Sequence, residues 1–280
     1  MRNYTDDDVD NFIDAMKVMQ SAQHKLKIRQ VKTVIRINET KPFGIVDTGD
    51  WHIGSDGVDY VRLDEDMKKI RDTEGLYAAG KGDYKENAIK HRGSNFGEII
   101  HPGMQDKMVV KYTADLRDKF LFLVQGCHDT WEQTMTDKDF MEVLCDTAQA
   151  VHLWHGGEVT IKVEDQEYLL RYRHKYKYQS SLNLENSMRR VNELMGPCDV
   201  ASEAHLHNPY TMMRHLMGQY RIMMRSGAYK VWDSFAQQIG GFKGKIGAPI
   251  VIYFPHEHRM IPVTHLDDGI TMLNALRKYA

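Results

Sequence analysis

The chain has 280 residues, 42% hydrophobic and 27% charged, an ordinary globular balance with length enough for one large core. A formal net charge of -2 excludes a globally basic nucleic-acid binder, though not a local basic face. Three cysteines, Cys127, Cys145 and Cys198, are too few for a disulfide framework. With an acidic, polar start (MRNYTDDDVD) and no apolar run of about 18 residues, the expected setting is cytoplasmic, without a secretory leader or membrane span.

Residues 5–29 are predicted helical, because Val9, Phe12, Ile13, Met16 and Met19 recur at three- and four-residue spacing. That helix either packs on the domain or joins two copies of the chain in a homo-oligomer. TVIRI (33–37) and FGIVDTGD (43–50) read as strands, 60–70 as a helix, and LYAAGKGD (76–83) as a strand ending in Gly-Asp. A helix is expected over 105–117. FLFLVQG (120–126) is a continuous apolar run, as in a strand buried on both faces. A helix over 137–148 precedes a hairpin over 158–174, whose turn is near Glu164 and Asp165. A helix over 181–195, a short strand opening 197–207, strands near 219–225, 249–254 and 259–264, and a last helix over 268–279 complete the series. Strands alternating with helices, then hairpins, predict a mixed α/β (α+β) domain over 41–280, preceded by a helical extension and leading strand over 1–40.

Five strand ends carry metal-ligand residue types. Gly49-Asp50-Trp51-His52 follows the second strand, and residues two apart on an extended chain point the same way. Gly82-Asp83 follows the third, with a glycine that allows a sharp turn. Gly126-Cys127-His128-Asp129 follows the buried run, His174 ends the hairpin, and Ala204-His205-Leu206-His207 offers a second pair. A second H-x-H, His256-Glu257-His258, sits in a hairpin turn and reads as solvated.

The order D-x-H, G-D, G-x-H-D, H, A-H-x-H resembles the signature of the calcineurin-like metallophosphoesterases, over residues 43 to about 210. The resemblance implies two packed mixed β-sheets flanked by helices, in four α-β-β-α layers. It also implies two-metal hydrolysis of a phosphoester, in which paired cations clamp substrate oxygens and acidify a shared water. Asp50, His52 and His207 would hold one ion, Cys127, His174 and His205 the other, with Asp83 between them. His128 would meet the substrate phosphate or leaving oxygen. Asp129 would either orient His128 or cap the loop.

The sequence departs from that pattern in three places. Cys127 stands where the family usually has asparagine; a thiolate favours zinc or iron over magnesium, or fails to ligate and leaves a weaker second site. The implied cofactors are two divalent ions, manganese first, with zinc or iron as alternatives. Ala204 replaces a glycine, a mild change if its φ is negative. After Gly-Asp, Glu86 and Asn87 compete for one role. GDYKENA also differs from the G-D-x-V-D-R-G segment of protein phosphatases.

Basic residues suggest the substrate. Lys90, His91 and Arg92 follow Asp83, and Arg171, Arg173, Lys175 and Lys177 bracket His174, interleaved with Tyr172, Tyr176 and Tyr178. Arg92 and Arg173 are the candidate substrate contacts, although strand parity puts this second basic set opposite His174. Aromatic rings among cations suit DNA or RNA single strands, and the overall style resembles bacteriophage-encoded metallophosphoesterases. The expectation is a phosphodiesterase or nuclease; a phosphomonoesterase with a closed pocket and a non-catalytic metal-binding module are the alternatives.

Overall fold

The computed structural model describes residues 5–27, 31–87, 97–136, 138–216, 218–232, 237 and 244–280. Helix α1 (Asp6–Lys27) belongs to a unit of its own, residues 1–31, whose Val9, Phe12, Ile13, Met16 and Met19 are exposed. The second unit spans 32–280. Strand β1 (Val31–Arg36) is an edge strand beside β6.

Two six-stranded sheets make the second unit. The first sheet contains β2 (Phe43–Thr48), β3 (Leu76–Gly80), β4 (Phe120–Leu123), β5 (Val151–His152), β11 (Ile250–Tyr253) and β12 (Met260–Val263), in the order β12-β11-β2-β3-β4-β5. Its β2, β3, β4 and β5 are parallel, and β11 and β12 extend it antiparallel. The second sheet contains β1, β6 (Gly156–Val163), β7 (Gln166–Arg173), β8 (Val200–Glu203), β9 (Tyr210–Leu216) and β10 (Gln219–Arg225), in the order β1-β6-β7-β8-β10-β9. Here β7, β8 and β10 are parallel neighbours. The architecture is the α/β class expected: two mixed sheets face to face, with helices on their outer faces.

Sequence explains the layers. Every residue of β2 is buried, as a strand covered on both sides must be. Helices α2 (Tyr60–Asp72), α3 (Pro102–Asp115), α5 (Phe140–Ala148) and α7 (Leu266–Lys278) cover one sheet through Leu63, Met67, Val109, Leu144 and Leu273. Asp59 caps α2 by accepting from Arg62 N at 3.0 Å, and Asp139 caps α5 in the same way. Helix α6 (Asn186–Met195) covers the other sheet with Met188 and Val191 against Ala201 and Met223.

Between the sheets, Phe122 meets Tyr172 edge-on at 4.8 Å and Tyr168 meets Tyr253 at 4.9 Å. A polar link crosses the same interface. Lys81 Nζ donates to Ser202 Oγ at 2.9 Å, is 3.7 Å from Asp47, and lies 4.2 Å over the Tyr172 ring.

Three elements differ from the sequence expectation. Helix α4 (Cys127–Thr136) begins at the residue expected to open a loop. Strands β5 and β9 were not expected; β5 has two residues, too few to show a period. The consequence for function is geometric. Strands β2, β3 and β4 run parallel, as do β7 and β8, so each set presents its carboxyl ends along one sheet edge, where loops converge.

The inter-sheet packing yields a stability prediction. Phe122→Ala removes a ring that is fully buried against Tyr172 and is expected to lower the unfolding free energy by about 3–5 kcal/mol in urea denaturation. A loss below about 1 kcal/mol would show that the sheets do not pack through this pair.

Candidate metal centre

The five strand ends meet. Two triads form, Asp50 with His52 and His207, and Cys127 with His174 and His205; within each, the ligand atoms lie within 4.8 Å of one another. Asp83 makes like groups with Asp50 and His174 and with His52 and His128, so it stands between the triads. All seven residues expected as ligands are therefore brought together.

Local backbone chemistry sets this convergence. Asp50, His52, Asp83, His205 and His207 all have positive φ, between 47° and 77°. The i, i+2 pairs thus converge through left-handed turns, not along extended chain as the sequence suggested. Such conformations cost on the order of 1 kcal/mol or more each and persist only where the surroundings impose them. Here backbone bonds between loops do so: Asp50 N donates to Gly82 O at 2.8 Å, and His52 N to Asp83 O at 3.0 Å. Gly126 packs against the Asp83 turn so tightly that a Cβ on it would fall 2.2 Å from Asp83 N. Ala204 has no positive φ, so a glycine is not required there.

The residues around the triads aim them. His52 Nδ1 pairs with Glu86 Oε2 at 2.9 Å, and His174 Nδ1 with the Lys81 carbonyl at 2.8 Å. A carbonyl only accepts, so His174 Nδ1 carries the proton; the Glu86 carboxylate imposes the same tautomer on His52. With Nδ1 so occupied, each ring turns Nε2 inward, where its lone pair would serve a cation once that nitrogen gives up any proton. Glu86, not Asn87, holds the outer position after Gly-Asp, and Lys230 Nζ fixes it at 2.7 Å. Asn87 Nδ2 instead reaches the His128 carbonyl at 3.4 Å.

Asp129 resolves as a loop clamp. Its Oδ2 accepts from Asp83 N at 2.9 Å and Gly126 N at 2.7 Å, and its Oδ1 from Tyr84 N at 3.3 Å. It orients Asp83 rather than His128. His128 Nδ1 bonds the Glu86 carbonyl, its amide donates to Asp83 Oδ1 at 2.8 Å, and its ring stands 4.7 Å from that of His52.

The donor set fits two cations. Asp50 and Asp83 are both buried, a pair of like charges that is costly unless positive charge compensates it. Asp50 Oδ1 and His174 Nε2 make no well-formed hydrogen bond but lie 3.3 Å from His207 Nε2 and 3.1 Å from Asp83 Oδ2, and His52 Nε2 and His207 Nε2 face each other at 3.2 Å. Cys127 Sγ lies 3.9 Å from His205 Nδ1, so the thiol joins the second triad. One carboxylate with two imidazoles, and one thiolate with two imidazoles, suit zinc, iron or manganese better than calcium.

The titration of these groups reflects their packing. Burial would push His174 down, but the charge of Asp83 and a hydrogen bond to it, then a hydrogen bond with Cys127 and the charge of Asp50, raise it well above the usual imidazole range. Burial holds His205 down at about 4 and also lowers His52. Burial opposes ionisation of Asp83, yet His174 and His128 hold it well below the usual carboxylate range.

The other expected site residues are placed as follows. Arg171 and Arg173 face α6, opposite Tyr172 and His174. Arg171 pairs with Glu158 at 2.9 Å, and the Arg173 guanidinium lies 5.3 Å over the Tyr176 ring. The strand ends at Arg173, so the parity expected to carry Lys175 and Lys177 onto that face stops there. Lys90, His91 and Arg92 lie outside the described residues. His256 is exposed, and His258 stacks on Tyr168 at 4.8 Å; neither joins a ligand group among the described residues. No described helix is long and apolar enough to cross a membrane.

No family model matches the chain, and no curated protein matches it. Solved structures do. The calcineurin-like phosphoesterase YfkN of Bacillus subtilis is 9% identical over 86% of this chain and 99% of its own, with a TM-score of 0.42. Vps29 of Chaetomium thermophilum is 12% identical over 80% and 98%, with a TM-score of 0.43. The sulfate thiohydrolase SoxB of Thermus thermophilus is 11% identical over 87% of this chain and 61% of its own, with a TM-score of 0.44. At these identities and scores the likeness does not extend to function, and the chemistry below is drawn from the ligand cage itself.

Because the charge of Asp83 favours a protonated His174 where a cation would sit, metal binding is expected to release that proton. Affinity for zinc is expected to rise with pH through neutrality. Calorimetric titrations in buffers of different ionisation enthalpy should report net proton release at pH 7; none released would contradict a protonated His174 in the metal-free protein.

Proposed function

We propose that this protein is a calcineurin-like metallophosphoesterase that hydrolyses a phosphodiester of a nucleotide or nucleic acid. One observation carries the reading: two triads of metal-ligand side chains, Asp50, His52 and His174 buried and Cys127, His205 and His207 half-buried, share the buried Asp83 between them. Asp50, His52 and His207 would hold one divalent ion and Cys127, His174 and His205 the other. Bound there, such ions would neutralise the phosphoryl oxygens and lower the pKa of a water that attacks phosphorus.

The remaining chemistry belongs to the chain's own residues. Asp83 holds the triads in register, and Asp129 fixes Asp83 by accepting from its amide. Glu86 and the Lys81 carbonyl fix the imidazole tautomers. His128 stands at the cage edge, close to His52 and Asp83. With Nδ1 donating to the Glu86 carbonyl, Nε2 is the atom that would deliver a proton to the departing alkoxide, from the ring in its doubly protonated, imidazolium form. The ring is held by Trp131 at 4.0 Å, so its direction is set before substrate arrives.

The role of His128 is tested by substitution. His128→Ala is expected to keep its metal but to lose about 10²–10⁴-fold in kcat on a diester with an alkyl leaving group. The loss should be smaller on bis(p-nitrophenyl) phosphate, whose leaving group needs little protonation. Equal losses on both would place His128 in phosphate binding instead. The reading as a whole is tested by chelator-sensitive hydrolysis of bis(p-nitrophenyl) phosphate beside p-nitrophenyl phosphate. Preference for the diester is expected; preference for the monoester would point to a phosphatase, and inertness with manganese, zinc and iron to a non-catalytic metal-binding module.

A further inference from the structure

We infer that the groove beside the second triad binds single-stranded nucleic acid, stacking a base on Trp131 and Tyr176 and holding two adjoining phosphates with Lys175 and Lys177. The inference rests on the phosphoester reading of the cage and gives its substrate class. A cavity of about 560 Å³ opens on Cys127 and His174, and Trp131, Lys175, Tyr176 and Lys177 line it. The scissile phosphate would lie at its floor, by those two ligands, with its neighbours along the walls.

Three features favour a strand. First, Trp131 lines the groove and also packs against His128, so a base seated there is coupled to the histidine nearest the departing oxygen. Second, Lys175 and Lys177 are exposed, and among the described residues neither forms an ion pair with a carboxylate. Two uncompensated cations beside a phosphoester centre complement a polyanion. Third, alternating rings and cations continue past the groove. Tyr178 is exposed, with Lys177 Nζ 5.2 Å and the Arg190 guanidinium 5.3 Å from its ring. A mononucleotide would need only the first stretch, whereas the continuation suits successive nucleotides. Stacking needs bases free of a duplex, because their faces are otherwise covered.

The test uses the full chain, loaded with manganese in the His128→Ala background so that cutting is slowed. Fluorescence anisotropy with a labelled twelve-nucleotide oligothymidylate reads binding. The single strand is expected to bind at least about tenfold more tightly than a duplex of the same length. Trp131→Ala and Tyr176→Ala should each weaken it by about 5–150-fold, with Trp131→Phe restoring most of the loss. Joint Lys175→Ala and Lys177→Ala substitution should lower the slope of log affinity against log salt by about 1.4, for two phosphates at about 0.7 each. Lys111→Ala, at an exposed position of α3, should leave the slope unchanged. Equal binding of duplex and single strand, thymidine monophosphate bound as tightly as the oligonucleotide, or no effect of the groove substitutions would overturn the inference. The same substitution pattern in a protein whose unsubstituted parent is inert toward bis(p-nitrophenyl) phosphate would support the groove and overturn the catalytic reading, so the two can fail separately.

Discussion

Two carboxylates buried side by side impose the central constraint on this protein. Asp50 and Asp83 have lost their water, and each raises the cost of ionising the other. Desolvated like charges persist only where positive charge or hydrogen bonds surround them. The chain surrounds Asp83 with imidazoles and the amide of His128, and Asp50 with His207 and the amide of His205. Cations complete the same compensation. Positive-φ backbone at five ligand residues is the conformational cost of bringing these groups to one place. That cost is borne by the two sheets, whose parallel strands deliver the loops to a common edge.

Support for the cage extends inward. The carbonyl of Lys81 orients His174, while its ammonium group crosses to Ser202 beneath the cage. Burial lowers that ammonium to about 8, and Asp47 and Glu203 resist the shift. One residue therefore ties the geometry of the second triad to the packing of the two sheets. A change at the interface between sheets would be felt at the metal ligands.

The sequence made the strand ends legible because each couples a buried apolar run to a glycine or a ligand residue. Asp50, His52, Asp83, Cys127, His174, His205 and His207 could be found that way. It was less informative about how they converge: period-two geometry suggested extended pairs, whereas left-handed turns do the work. Helix α4 was hidden because its first turn carries Cys127, His128 and Asp129, chosen for chemistry and not for an apolar stripe. Glu86 could not be separated from Asn87 without knowing which side chain reaches His52. The groove residues Trp131 and Tyr176 lie far apart in sequence, on α4 and beyond β7, and no local pattern joins them. Strand parity did place Arg171 and Arg173 opposite His174, and its failure at Lys175 and Lys177 follows from the strand ending.

The most direct test of the account is a count of metal ions at the cage, by anomalous diffraction from crystals of the full chain grown with manganese or zinc. The account predicts two peaks, one among Asp50, His52 and His207 and one among Cys127, His174 and His205, with the Asp83 carboxylate between them. A single peak that leaves Cys127 outside, or no peak at these residues at saturating metal, would contradict a two-metal centre.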